Sequence, residues 1–167
     1  MPEDLWVNKK FDFDYSASDR ARLLEELATA PDRLAELIEA VAPTDLVRRD
    51  GGRWSIQENV GHLSDVEALF LGRLDDYDAG LDELRPADMT NMATERARYN
   101  GQDIDDLLTR FAKMRSDYLQ RLKGKPEEYF AKVAWHPRLE KPMRVVDQLT
   151  FQLAHDAHHL ARIEEML

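Results

Sequence analysis

Four of the five histidines fall in two segments that read as helices: His62 in WSIQENVGHLSDVE, and His155, His158 and His159 in AHDAHHLARI near the C-terminus. Neutral imidazole is a borderline nitrogen donor that suits Zn, Ni, Co and Fe. Two histidines at i and i+4 lie about 6 Å apart along a helix axis, so they can share one ion if a third ligand comes from elsewhere. Three of the four imidazoles could therefore converge on one divalent metal. The chain has no cysteine, which excludes thiolate nucleophiles, disulfides and Cys-ligated zinc or iron–sulfur sites. Any ion must be held by nitrogen and oxygen.

The elements that would position these side chains are four helical stretches separated by Pro- and Gly-marked connections. The first runs from about Ser18 to Val41, with Leu23, Leu24, Leu27, Leu34, Leu37, Ile38 and Val41 at spacings of three and four. Pro31 interrupts it, predicting a kink near Ala30 or two short helices with Thr29 capping the second. The second helix, Ile56 to about Asp78, opens on a Ser55/Glu58 capping box. Its stripe of Ile56, Val60, Leu63, Val66, Phe70, Leu74 and Tyr77 places His62 on one flank and Glu67 on the other. Trp54 reads as a staple-like contact at its start and Asp65 as part of its solvated face.

A polar stretch from Gly80 to Gly101 is long enough to cross the end of a bundle. A third helix follows from Asp103 to Lys123, with Asn100 as candidate cap and Gly124 as stop. A second long connection, KPEEYFAKVAWHPRLEKP, carries His136, expected on the surface with the cavity mouth as the alternative, and leads to a last helix from about Arg144 to Met166.

On that last helix Val145, Leu149, Leu153, Leu160, Ile163 and Leu167 mark the apolar face, with Asp156 in its middle. A carboxylate there wants a partner, since an unpaired buried charge costs several kcal/mol. At about 100° per residue, His155 and His159 lie about 40° apart beside this face, while His158 points outward. The ligand pair expected is His155 with His159. Asp156 and Glu67 are the candidate catalytic carboxylates, either orienting a ligating imidazole or acting as general base.

With 167 residues, 43% apolar and 34% charged, the chain suits one all-α domain spanning 1–167. Its net charge of −10, with no basic stripe, argues against nucleic-acid binding. No apolar run approaches the roughly 20 residues of a membrane span, and MPEDLWVNKKFDFD lacks the basic-then-apolar order of a signal peptide. The expected location is cytoplasmic.

WSIQENVGHLSDVE followed by HPRLEKPMRVVDQLTFQLAHDAHHLARI resembles the DinB-like (YfiT-like) metalloenzyme family across nearly the whole chain. The resemblance implies an up-down-down-up four-helix bundle with long crossover connections, often homodimeric. It also implies a divalent metal, Zn or Ni foremost, held by one histidine of the second helix and an H-x3-H pair of the last. These map onto His62, His155 and His159. The family includes glutathione-, mycothiol- and bacillithiol-dependent transferases and isomerases, which implies a small-molecule substrate and a low-molecular-weight thiol as one candidate. Many relatives carry Gln, Asn or Gly after the last histidine, where this chain has Leu160, Ala161 and Arg162. Three function classes follow: a metal-dependent thiol S-transferase or hydrolase, a metal-binding or stress-associated protein without turnover, and a helical dimerisation module whose histidines are merely packed.

Overall fold

The computed structural model describes residues 6–167, so residues 1–5, on which the reading of the N-terminus partly rests, lie outside it. Four long helices form a bundle: α1 (Arg20–Ile38), α3 (Ile56–Asp78), α5 (Ile104–Leu122) and α7 (Val145–Glu164). Short helices α2 (Pro43–Leu46), α4 (Met92–Ala97) and α6 (Glu127–Phe130) lie in the connections. Among the described residues, no helix is long and apolar enough to cross a membrane.

The apolar side chains separate into two clusters, and their membership gives the chain direction. Leu27, Phe70, Tyr118 and Leu149 pack in one; Leu34, Leu63, Phe111 and Leu160 pack in the other. Helices α1 and α7 run from the first cluster to the second, whereas α3 and α5 run from the second to the first. That order is up-down-down-up. The parallel α3–α5 step requires the chain to return the full length of the bundle, which residues 79–103 accomplish.

Between the two clusters lies a polar layer centred on Arg115 of α5, 1% exposed. Its guanidinium donates to both Glu67 oxygens on α3 (2.9 and 3.1 Å) and to both Asp156 oxygens on α7 (2.8 and 3.0 Å). It also donates to the Leu27 carbonyl on α1 at 2.9 Å. One side chain of α5 thus bonds the other three bundle helices.

The Leu27 contact explains how α1 tolerates Pro31. Proline has no N–H to give the carbonyl four residues back, and here that carbonyl belongs to Leu27. Arg115 supplies the missing donor, and α1 continues unbroken from Arg20 to Ile38. Of the two expected outcomes, a kink or a split, the split does not occur, and the Thr29 hydroxyl donates back to the Glu26 carbonyl at 2.7 Å instead of capping.

Other expectations hold or shift locally. The Ser55/Glu58 capping box is present, and α5 ends before Gly124, whose φ of +75° suits glycine. The α5 cap is Asp103, accepting from the Asp105 and Asp106 N–H groups; Asn100 instead accepts a hydrogen bond from the Ser55 hydroxyl. The second connection contains an antiparallel hairpin, β1 (Val133–His136) and β2 (Lys141–Arg144), with Ala134 facing Met143. The segment gave no period-2 hydrophobic signal, because in β1 the large apolar Val133 and Trp135 are exposed while Ala134 and His136 are buried.

Removing Arg115 leaves two buried carboxylates and an orphaned carbonyl. Arg115→Met is expected to cost about 3–5 kcal/mol in urea unfolding, and adding Glu67→Met with Asp156→Leu is expected to recover most of that loss. Equal stability of Arg115→Met and the parent contradicts the clamp.

Candidate metal centre

The helix rotations set by this polar layer decide where the imidazoles point. Glu67 lies five residues after His62 on α3, and Asp156 lies between His155 and His159 on α7. With both carboxylates drawn to Arg115, one ring nitrogen from each of His62, His155 and His159 comes within 4.8 Å of the others. His155 Nε2 and His159 Nε2 are 3.2 Å apart. All three histidines are buried at 5–6% exposure.

Hydrogen bonds settle how two of these rings present their lone pairs. The Asn59 amide donates to the Ser55 carbonyl at 2.8 Å, which turns its oxygen toward His159 Nδ1, also at 2.8 Å. A carbonyl oxygen only accepts, so His159 carries its proton on Nδ1 and leaves Nε2 free. The Thr94 hydroxyl, on α4, donates to Asp65 at 2.8 Å and therefore accepts from His62 Nδ1 at 3.0 Å. His62 is likewise an Nδ1–H tautomer with a free Nε2. Asp65 is itself held by the Tyr99 hydroxyl at 2.6 Å. Tyr99 lies so close to α3 that a Cβ on Gly61 would meet its ring at 2.3 Å, so glycine is required beside His62.

The electrostatics match a ligand set. Burial, helped by the nearby His158 charge, pushes His62 down to about 4. Burial and the neighbouring imidazoles push His155 and His159 well below the usual histidine range. All three are neutral at pH 7, the state in which imidazole donates to a metal. Three neutral, buried nitrogen donors, two of them with the opposite ring nitrogen anchored, fit a divalent ion of the Zn or Ni type.

The expected imidazole-orienting role of the carboxylates needs correction. Glu67 and Asp156 bond Arg115, and Glu67 also accepts from Gln152; neither hydrogen-bonds an imidazole among the described residues. Burial raises both carboxyls above their usual range, with Arg115 opposing the rise. Burial also works against the Arg115 charge, but Asp156 and Glu67 together overcome it and raise its pKa. The groups that orient imidazoles are Asn59 and Thr94. Asn59 was legible in principle, since N-x-x-H places it on the His62 face of one helix; Thr94 comes from a polar connection with no periodicity.

The trio lines a cleft of about 820 Å³. Trp54 is not a simple staple: its ring lies 4.7 Å from that of His62 and its Nε1 donates to Glu95. Asp65, expected on the solvated face, is half-buried and bonded as described. His158 is half-buried, with its ring perpendicular to His159 at 5.0 Å. His136 is 1% exposed and lines the cleft, which excludes the expected surface position and agrees with the cavity alternative. Arg162 is also buried on the cleft wall, and its charge adds to the forces lowering His159.

No curated protein matches the chain. Among solved structures, YfiT from Bacillus subtilis superposes with a TM-score of 0.77 at 20% sequence identity, covering 95% of this chain and 91% of that one. That protein is described as a probable metal-dependent hydrolase with an unusual four-helix bundle topology. The profile of the DinB superfamily matches residues 19–163, nearly the whole of the bundle that carries the three histidines. The chain belongs to the DinB superfamily.

Proposed function

We propose that this chain is a divalent-metal-dependent hydrolase acting on a small molecule held in the cleft, with His62, His155 and His159 as the metal ligands. The observation that carries the reading is the convergence of three neutral, buried imidazole nitrogens within 4.8 Å at the wall of an 820 Å³ cleft. A merely structural histidine cluster has no reason to border a cleft of ligand size. An ion on three imidazoles supplies Lewis acidity, polarising an acyl or phosphoryl oxygen and lowering the pKa of water or of a thiol.

The protein's own groups prepare that chemistry. Thr94 and Asn59 hold protons on His62 Nδ1 and His159 Nδ1, so the opposite nitrogens are presented without tautomeric rearrangement. Asp65 behind Thr94 makes His62 a stronger donor by drawing on the same hydrogen-bond chain. Trp54 and Trp6 cover the imidazole edges, Trp6 lying 5.2 Å from His155, and limit water at the site. A second reading, S-transfer from a low-molecular-weight thiol, is supported by the size of the cleft, which leaves room for two small reactants side by side.

Chelator-stripped protein is expected to take up one equivalent of Zn or Ni, with affinity falling at least 100-fold in His62→Ala and His159→Ala and about 10- to 100-fold in Thr94→Val. Absence of uptake after reconstitution overturns the reading. Loaded protein is expected to hydrolyse a panel of small esters, amides or phosphoesters in proportion to metal content. Metal-dependent conjugation of chlorobimane with glutathione, mycothiol or bacillithiol, without hydrolysis, moves the assignment to thiol transfer.

The metal-free protein should also lose stability on acidification. Unfolded imidazoles take up protons near pH 6.5, whereas folded His62 does so at about 4 and His136 at about 3. The unfolded chain then binds more protons than the folded one, and stability falls with pH in that window. The urea midpoint is expected to be lower at pH 5 than at pH 7; an unchanged midpoint contradicts buried neutral imidazoles.

A further inference from the structure

Away from the imidazole trio, the same cleft gathers three donors that lack an anion among the described residues. Arg73, on α3 three turns beyond His62, is 1% exposed. Its Nε donates to the Arg85 carbonyl at 3.2 Å, and no carboxylate lies within ion-pairing distance among the described residues. Asp76, one turn further on, is occupied by Arg85, which donates to it from Nη2 at 2.8 Å, Nε at 3.0 Å and its backbone N–H at 2.9 Å.

The hairpin brings the other two donors to this wall. His136 Nδ1 accepts the Leu139 N–H at 3.1 Å, which places the ring proton on Nε2; that buried atom has no acceptor. Arg138, half-buried, makes one side-chain hydrogen bond among the described residues, to the Val7 carbonyl at 3.1 Å, and its guanidinium lies 5.8 Å from the Phe151 ring centre. The groups are close enough to feel one another: after burial itself, the Arg73 and Arg138 charges are what hold His136 down. Burial likewise lowers Arg73 to about 10.

A buried cation without a counter-charge and a buried N–H without an acceptor both cost free energy that a bound oxyanion would recover. Guanidinium groups also meet carboxylate and phosphate oxygens with charge-assisted, paired hydrogen bonds. Between these donors and the imidazoles stand aromatic rings. Phe151 is 5.7 Å from His136, and Trp6 is 5.3 Å from Phe151 and 5.2 Å from His155.

We propose that Arg73, His136 and Arg138 form an oxyanion subsite that holds the carboxylate or phosphate group of the substrate, with an apolar portion lying along Phe151 and Trp6 toward the imidazoles. Calling the bound molecule a substrate rests on the metal-dependent reading above; the donors themselves stand without the ion. The substrate class is therefore an amphipathic small anion, with its charged end separated from the reacting group by an apolar segment.

The test uses the full chain, metal-free and desalted, titrated with benzoate, phenyl phosphate and the neutral isostere benzamide while the His136 Nε2–H resonance is followed by NMR. Saturable shifts are expected with benzoate, phenyl phosphate or both, and none with benzamide. The two anions distinguish a carboxylate from a phosphate headgroup. Binding is expected to weaken at least ten-fold in Arg138→Gln, at a half-buried position, and in Arg73→Lys. No saturable shift with either anion, or full parental affinity in Arg138→Gln, overturns the subsite. Zn titration of the same samples separates this claim from the metal assignment: Arg138→Gln is expected to keep parental Zn affinity. A parent that binds benzoate but no Zn leaves the subsite standing and removes the metal reading.

Discussion

The site depends on one buried guanidinium. Arg115 ties α3 and α7 through Glu67 and Asp156, and reaches α1 through the carbonyl that Pro31 leaves without a donor. Burying a charge is unfavourable unless it is paired and its donors are used, and here five donations to three acceptor groups meet that condition. The clamp carries directional information that apolar packing lacks. Leucine ridges tolerate small helix rotations, whereas two bidentate carboxylates on one planar fork do not. Because the histidines are neighbours of those carboxylates on the same helices, fixing one set fixes the other.

A division of labour follows. The carboxylates nearest the histidines in sequence serve architecture, and neutral groups serve the imidazoles. An amide oxygen and a hydroxyl orient His159 and His62 without adding negative charge at the rings, so burial can hold them neutral. Arg73, His136 and Arg138 line another part of the same cleft, where His136 is neutral and packs 5.7 Å from the Phe151 ring, and the Arg138 charge reaches His155 and helps hold it neutral.

Much of this was legible in the sequence because it follows from periodicity and capping. The four long helices, the Ser55/Glu58 start, the Gly124 stop and the choice of His155 with His159 over His158 all come from spacing of 3.6 residues per turn. The need of Asp156 for a partner was also readable, but the identity of that partner was not. Arg115 occupies a position between Phe111 and Tyr118 that any solvated arginine could share, and only the packing of four helices reveals it as central. The outcome at Pro31 was hidden for the same reason, since the donor that serves the Leu27 carbonyl lies 88 residues from it. Thr94 and His136 come from connections, where no period constrains the side chain and tertiary hydrogen bonds decide its place.

The central claim is that the fold presents three neutral imidazoles, two of them locked as Nδ1–H tautomers, before any ion arrives. Long-range ¹H–¹⁵N correlation spectra of the histidine rings in metal-free protein at pH 7 test it most directly. The account requires Nδ1–H signatures for His62 and His159, with unprotonated Nε2 resonances that move when Zn is added. Protonated rings at pH 7, or Nε2–H tautomers at His62 and His159, would contradict it.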